Sequence, residues 1–135
     1  MKQQAETLIQ AYYDAFNRQD MDAFLALLCD DVEHDINQGD RETGKAAFAD
    51  FMAKMNRHYR EQLVDMEIMA NAAGTRAAAE FVVLGEYLST DEGLPEAAGQ
   101  TYRLPAGAFF DIRDGKVARV TNYYNLEDWI AQVSA

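Results

Sequence analysis

Apolar residues recur at helical spacing at the start of the chain, where Ala5, Leu8, Ile9, Tyr12 and Phe16 form one stripe. Asn17 to Gln19 break the stripe, and Asp20 is placed to cap a second, short helix carrying Phe24, Leu25, Leu27 and Leu28. Asp30 and Asp31 end that helix, a short strand runs from Val32 to Asn37, and Gln38, Gly39 and Asp40 turn the chain. Thr43 is placed to cap a third helix with Phe48, Phe51, Met52, Met55 and Tyr59 on one buried face. The period then changes to two. Val64, Met66 and Ile68 alternate with Asp65 and Glu67, which predicts a half-buried strand. Turn residues from Asn71 to Gly74 separate it from a long strand, Thr75 to Leu88. A further strand begins near Gln100 and reaches Arg113, Asp114-Gly115 makes a hairpin turn, and Lys116 to Tyr124 runs back. Asn125 is placed to cap a closing helix with Leu126, Trp129, Ile130 and Val133 inward.

Strands that follow one another through turns are antiparallel. Strands this long curve strongly, and helices cover only one of their faces. The expectation is an α+β cone: N-terminal helices packed on a strongly curved, mainly antiparallel sheet around an internal pocket. Ser89 to Gly99 is the one long loop. It carries Asp91, Glu92 and Glu96 and many small residues, so it is predicted to lie outside the core as a mobile segment near the cone edge. Along the long strand, Phe81, Val83 and Tyr87 share one face with Ala79 and Gly85, and this face is expected to line the pocket and contact a ligand. The other face, Glu80, Val82, Leu84 and Glu86, mixes apolar and charged residues in a way that suits a homodimer interface.

The length of 135 residues accommodates one core, hence a single domain over 1–135. With 49% hydrophobic and 26% charged residues the chain is globular, not disordered. Its net charge of −11 argues against nucleic acid and anionic lipid as partners. No apolar run approaches the roughly 18 residues of a membrane span, and MKQQAETLIQ lacks the apolar core of a signal peptide, so a cytoplasmic location is expected. The single cysteine, Cys29, excludes an internal disulfide and reads as a small buried hydrophobe.

The run YYDAFNRQDMDAFLALLCDDVEHD, the helix after Gly44 and the hairpin FFDIRDGKVARVTNYY, in this order and spacing, resemble the NTF2-like superfamily, and within it the ketosteroid isomerase and SnoaL-like group. The resemblance covers essentially the whole chain. It implies a cone-shaped fold with a deep apolar pocket, a dimer through the outer sheet face, an apolar small-molecule ligand and chemistry without a cofactor. Known members include isomerases, polyketide cyclases, dehydratases, epoxide hydrolases and non-enzymatic binders, so the fold alone leaves the activity open. In ketosteroid isomerase an aspartate base works with a tyrosine and a protonated aspartate that hold the oxyanion. Carried over by the resemblance, the tyrosine falls on Tyr12, eight residues before Asp20. The base falls on Asp35 with a one-residue gap and on Ile36 without it. The strand acid falls on Gly107 or Ala108, neither of which has a side chain to donate.

These residues also have readings of their own. At the mouth of an apolar cavity the Asp35 carboxylate is partly desolvated and takes a proton next to a carbonyl; at a solvated strand end it does neither. Tyr12 is either a donor to a developing enolate or a packing aromatic; Tyr13, about 100° further round the helix, reads as structural. Alternation puts Glu33 and Asp35 on one strand face, where two carboxylates can share a proton, and His34 on the other, where it can serve as the base if the register differs by one. His34 and His58 have no ligand spacing, so no metal site is expected. Asn122 and Tyr124 share a face of the last strand with Ala118 and Val120. If that face is concave, Asn122 orients a base or a ligand. Met55, with Met52 and Met66, is core or an adaptable pocket wall.

Overall fold

Residues 1–134 are described by a computed structural model. The first apolar stripe becomes helix α1 (Lys2–Asn17), with Ile9, Tyr12 and Tyr13 buried. The Asp20 side chain caps α2 (Met21–Ala26) by accepting from the Ala23 amide at 3.1 Å. This helix ends earlier than its apolar pattern predicts. Leu28 to Asp31 belong to strand β1 (Leu28–Asp35), where Leu28 and Val32 are fully buried. The turn that follows contains an additional short strand, β2 (Arg41–Thr43), and Gly44, not Thr43, stands at the head of α3 (Lys45–His58). Gly44 has φ +102°, a backbone angle that excludes Thr there.

Tyr59 opens β3 (Tyr59–Ala70) instead of closing the helix. A bulge at Asp65, φ +55°, sets two residues of β3 against one of its neighbour, because the register shifts between Val64 and Glu67. The bulge changes which side chains point inward: Leu63 before it, Met66 and Ile68 after it. Then follow β4 (Arg76–Tyr87), β5 (Thr101–Arg113), β6 (Lys116–Tyr124) and α4 (Leu126–Val133). Asp114 and Gly115 both take positive φ, as the two-residue hairpin requires. Asn125 caps α4 through the Asp128 amide at 3.1 Å.

The strands form one curled, unclosed sheet in the order β2-β1-β6-β5-β4-β3. The pairs from β3 to β6 are antiparallel, as the turns predict, but β1 lies parallel to β6. Helix α1 packs on β3 and β4, and α3 packs on β1. The helices therefore leave an internal space against the concave face. The Ser89–Gly99 segment stays mostly exposed, as expected, but it is anchored at Asp91 and Leu94. Asp91 is buried, its carboxylate accepts from the Tyr59 hydroxyl at 2.9 Å, and Leu94 reaches the cavity wall. No helix among the described residues is long and apolar enough to cross a membrane.

Candidate active site

The concave face encloses a cavity of about 190 Å³. That is below the roughly 300–1,000 Å³ of drug-sized sites, so it suits a single-ring compound better than a fused polycycle. Most of its wall is apolar, including Phe81, Val83 and Met55 as expected from the sequence, with Tyr124 near Leu126. Gly107 also borders it, so the position to which the resemblance carries a strand acid offers no carboxyl.

His34 is the main polar group of this wall. Strand alternation turns Val32 and His34 inward, and His34 is only 1% exposed. Its ring stacks on Phe48 (centroids 4.2 Å, planes 4° apart) and meets the edge of Phe51 at 4.6 Å. Burial lowers its pKa to about 4, against a small opposing pull from Asp35, so the imidazole is neutral near pH 7. Nε2 faces the Asn122 amide nitrogen at 3.4 Å. Asn122 lies two residues beyond Val120, the β6 partner of His34, and so shares its face. Nδ1 is 4.0 Å from Oε1 of Glu42, the cross-strand partner of His34 on β2. Both atoms are buried and have no hydrogen bond among the described residues. That distance is too long for a hydrogen bond but leaves the carboxylate facing the ring nitrogen. Glu42 was missed because the sequence pattern shows no strand there.

Asp35 is placed elsewhere. It shares the outer face with Glu33, and Arg41 on β2 sits between the two carboxylates. Arg41 Nε and Nη2 donate to Asp35 at 2.6 and 3.1 Å, and Nη1 donates to Glu33 at 2.6 Å. Thr121 adds a further hydrogen bond to Asp35. The Arg41 hydrogen bonds hold the Asp35 pKa down to about 2, against a smaller opposing effect of burial. The expectation that Asp35 is a cavity base is therefore corrected. It is a paired surface carboxylate, held together with Glu33 on one guanidinium.

Tyr12 borders the cavity, and burial raises the pKa of its hydroxyl, which stays protonated and able to donate. Tyr13 borders it too: its ring meets that of Tyr12 at 4.9 Å, and its buried hydroxyl has no partner among the described residues. Reading Tyr13 as purely structural missed this, because a helix lying in a concave sheet exposes more than one narrow stripe to the core. Tyr87 is also corrected. It is fully buried outside the cavity, stacked on Tyr59 at 5.4 Å, and its hydroxyl donates to the Pro95 carbonyl at 2.6 Å and accepts from the Asp91 amide at 3.0 Å. Its role is to pin the 89–99 loop. Glu61 on β3 supplies a carboxyl to the cavity wall.

A family model for the SnoaL-like domain matches residues 9–120. Among solved structures, one from Pseudomonas putida, described as a candidate polyketide cyclase, is 68% identical, with 96% of this chain and 98% of that chain covered and a TM-score of 0.95. Another so described, from Xanthomonas campestris, is 65% identical over 98% of each chain, with a TM-score of 0.95. A candidate ketosteroid isomerase from Kribbella flavida is 25% identical over 92% of this chain and 79% of that chain, with a TM-score of 0.68. No curated protein matches the chain.

Proposed function

The chain belongs to the SnoaL-like family of the NTF2-like superfamily, and from that premise we propose that it is an acid–base enzyme moving a proton at the carbon next to the carbonyl of a small, neutral, mostly apolar compound. Isomerisation and ring-closing carbon–carbon bond formation both start from this step, and the names of the similar structures lie in the same chemistry. The observation that carries the reading is His34: a neutral imidazole in an apolar cavity, between Asn122 and the buried oxygen of Glu42.

A carboxylate facing Nδ1 favours the tautomer with its proton there and leaves the Nε2 lone pair toward the cavity. The 3.4 Å approach of the Asn122 amide to Nε2 is weak enough for a substrate proton to displace. As Nε2 takes the proton, the electron pair moves onto the carbonyl oxygen, and Glu42 stabilises the imidazolium. Apo contacts of this kind commonly tighten when a substrate excludes water. The Tyr12 and Tyr13 hydroxyls supply donors for the oxyanion.

The test is exchange of acetophenone methyl protons in deuterated buffer, followed by NMR. Wild type accelerates it over buffer, and His34→Asn removes roughly 100- to 10,000-fold of that acceleration. Equal exchange by both proteins overturns the reading. Tight ketone binding without exchange supports the second reading, a non-catalytic binder, which the absence of a strand acid at Gly107 favours.

A homodimer through the outer sheet face belongs to the same proposal. Its support is the exposed apolar set Leu84, Phe109 and Tyr123, of which Tyr123 is 56% exposed and meets Phe109 edge-on at 5.8 Å. Sedimentation at micromolar concentration gives a dimer; a monomer overturns this part.

A further inference from the structure

The cavity has a second polar end that the proposed proton transfer does not use. Glu61 lies on β3 before the bulge, at the edge of the sheet away from β1. From β1 to β3 is four strand steps, roughly 19 Å along the sheet, which its curl shortens across the cavity. The Glu61 carboxyl borders the cavity and accepts a hydrogen bond from the Tyr102 hydroxyl, its only hydrogen bond among the described residues. Among the described residues no cation lies within ion-pair distance of it. Tyr102 and Tyr124 are its titratable neighbours. The carboxyl is partly buried, and that burial raises its pKa, against an opposing effect of the Tyr102 hydrogen bond. Its oxygens are placed to accept a hydrogen bond from a ligand hydroxyl.

Three neighbouring strands build this end of the cavity. Glu61 pairs in register with Gly85, and Gly85 with Tyr102. The Tyr102 ring lies across Gly85, where an added Cβ would stand 2.1 Å from the ring carbon Cζ. Glycine within a strand and a partly buried carboxyl are each unfavourable for stability. An apolar side chain at position 61 would complete the wall without either.

We infer that Glu61, oriented by Tyr102, is a specificity-determining contact that selects ligands carrying a hydroxyl at the end remote from His34. The inference rests on the reading that this cavity is the ligand site. It narrows the ligand to a small ring with a carbonyl at one end and a hydroxyl at the other.

The experiment is calorimetric titration with two ketones of equal size, 4-hydroxyacetophenone and 4-methylacetophenone. Wild type prefers the hydroxy compound about tenfold, the size of one good hydrogen bond. Glu61→Leu loses the preference, Glu61→Gln retains most of it because an amide oxygen also accepts, and Tyr102→Phe weakens it. If Glu61→Leu does not fold, Glu61→Met takes its place. An undiminished preference in the apolar variant overturns the inference, as does no preference, or no binding of either ketone, in wild type. Methyl-proton exchange of the methyl ketone separates the two readings. Exchange that needs His34, with no Glu61-dependent preference, removes only this inference. A Glu61-dependent preference without exchange removes only the acid–base reading.

Discussion

His34 and Asp35 are consecutive residues on one strand, and the protein treats them in opposite ways. On the inner face of β1, His34 is packed between aromatic rings and loses its charge to burial. On the outer face, Asp35 keeps its charge because Arg41 holds both carboxylate oxygens. The outer network continues through Thr121 to Arg119 and Asp111, tying β1, β2, β5 and β6 together. A base for carbon chemistry needs a free lone pair in a dry site, which the inner face provides. The outer face provides a cross-link. Which role a polar residue takes here follows from the pleat, not from its intrinsic acidity.

The sharpest way to break this comparison is to remove each group in turn. His34→Asn should reduce ketone proton exchange by roughly 100- to 10,000-fold, while Asp35→Asn leaves it within about threefold of wild type. The opposite ranking would return the base to the outer face. Glu42→Gln should lower kcat about 10- to 100-fold, the range of one charge-assisted hydrogen bond, with KM little changed. A rise in KM alone would show that Glu42 shapes the cavity without assisting the imidazolium. Gly85→Ala tests the far end of the cavity. It should lose about 1–3 kcal/mol in denaturant unfolding as the Tyr102 ring is displaced, and an unchanged midpoint would mean that the ring moves freely.

Stability against pH separates the two faces further. The folded pKa of His34, about 4, lies below its ordinary 6.5, so between these values the unfolded chain binds more protons. Its contribution is therefore full above about pH 6.5 and is lost as pH falls toward 4. Asp35 is depressed from 3.8 to about 2, so its contribution is present above about pH 4 and is lost as pH falls through 2. Urea unfolding from pH 7 to 4.5 should show a slope that His34→Gln flattens and Asp35→Asn leaves in place. The smallest effect is Asp35→Asn at pH 7, a fall of a few degrees in melting temperature, since an exposed pair contributes little.

Much of the fold was legible. Asp20 and Asn125 cap the helices their positions predict, and Asp114-Gly115 makes the expected hairpin. The errors cluster where local pattern and long-range pairing compete. Leu28 fits a helical stripe, yet it pairs with Val117 across the sheet. Tyr59 fits the α3 stripe, yet it pairs with Tyr87 at the start of β3. The Asp65 bulge then hid Glu61. Extending the Val64-Met66-Ile68 alternation backwards sets Glu61 outside, and only the extra residue of the bulge brings it in. The 89–99 loop looked too polar to pack, but the hydroxyls of Tyr59 and Tyr87 satisfy Asp91 at its carboxylate and at its amide.

By itself the sequence determined the α+β class, the order of most elements, the apolar wall around Phe81 and Val83, and the opposition of His34 to its two acidic neighbours. All of these follow from periodicity, which is a local property of the chain. Tertiary structure decided which side of β1 became the cavity, that Arg41 would bind Asp35, that Glu42 would face His34, and that Tyr102 would cross Gly85 to reach Glu61. Each of these depends on a strand register or a bulge joining distant segments, and a single-residue shift in either turns a side chain from water to the interior.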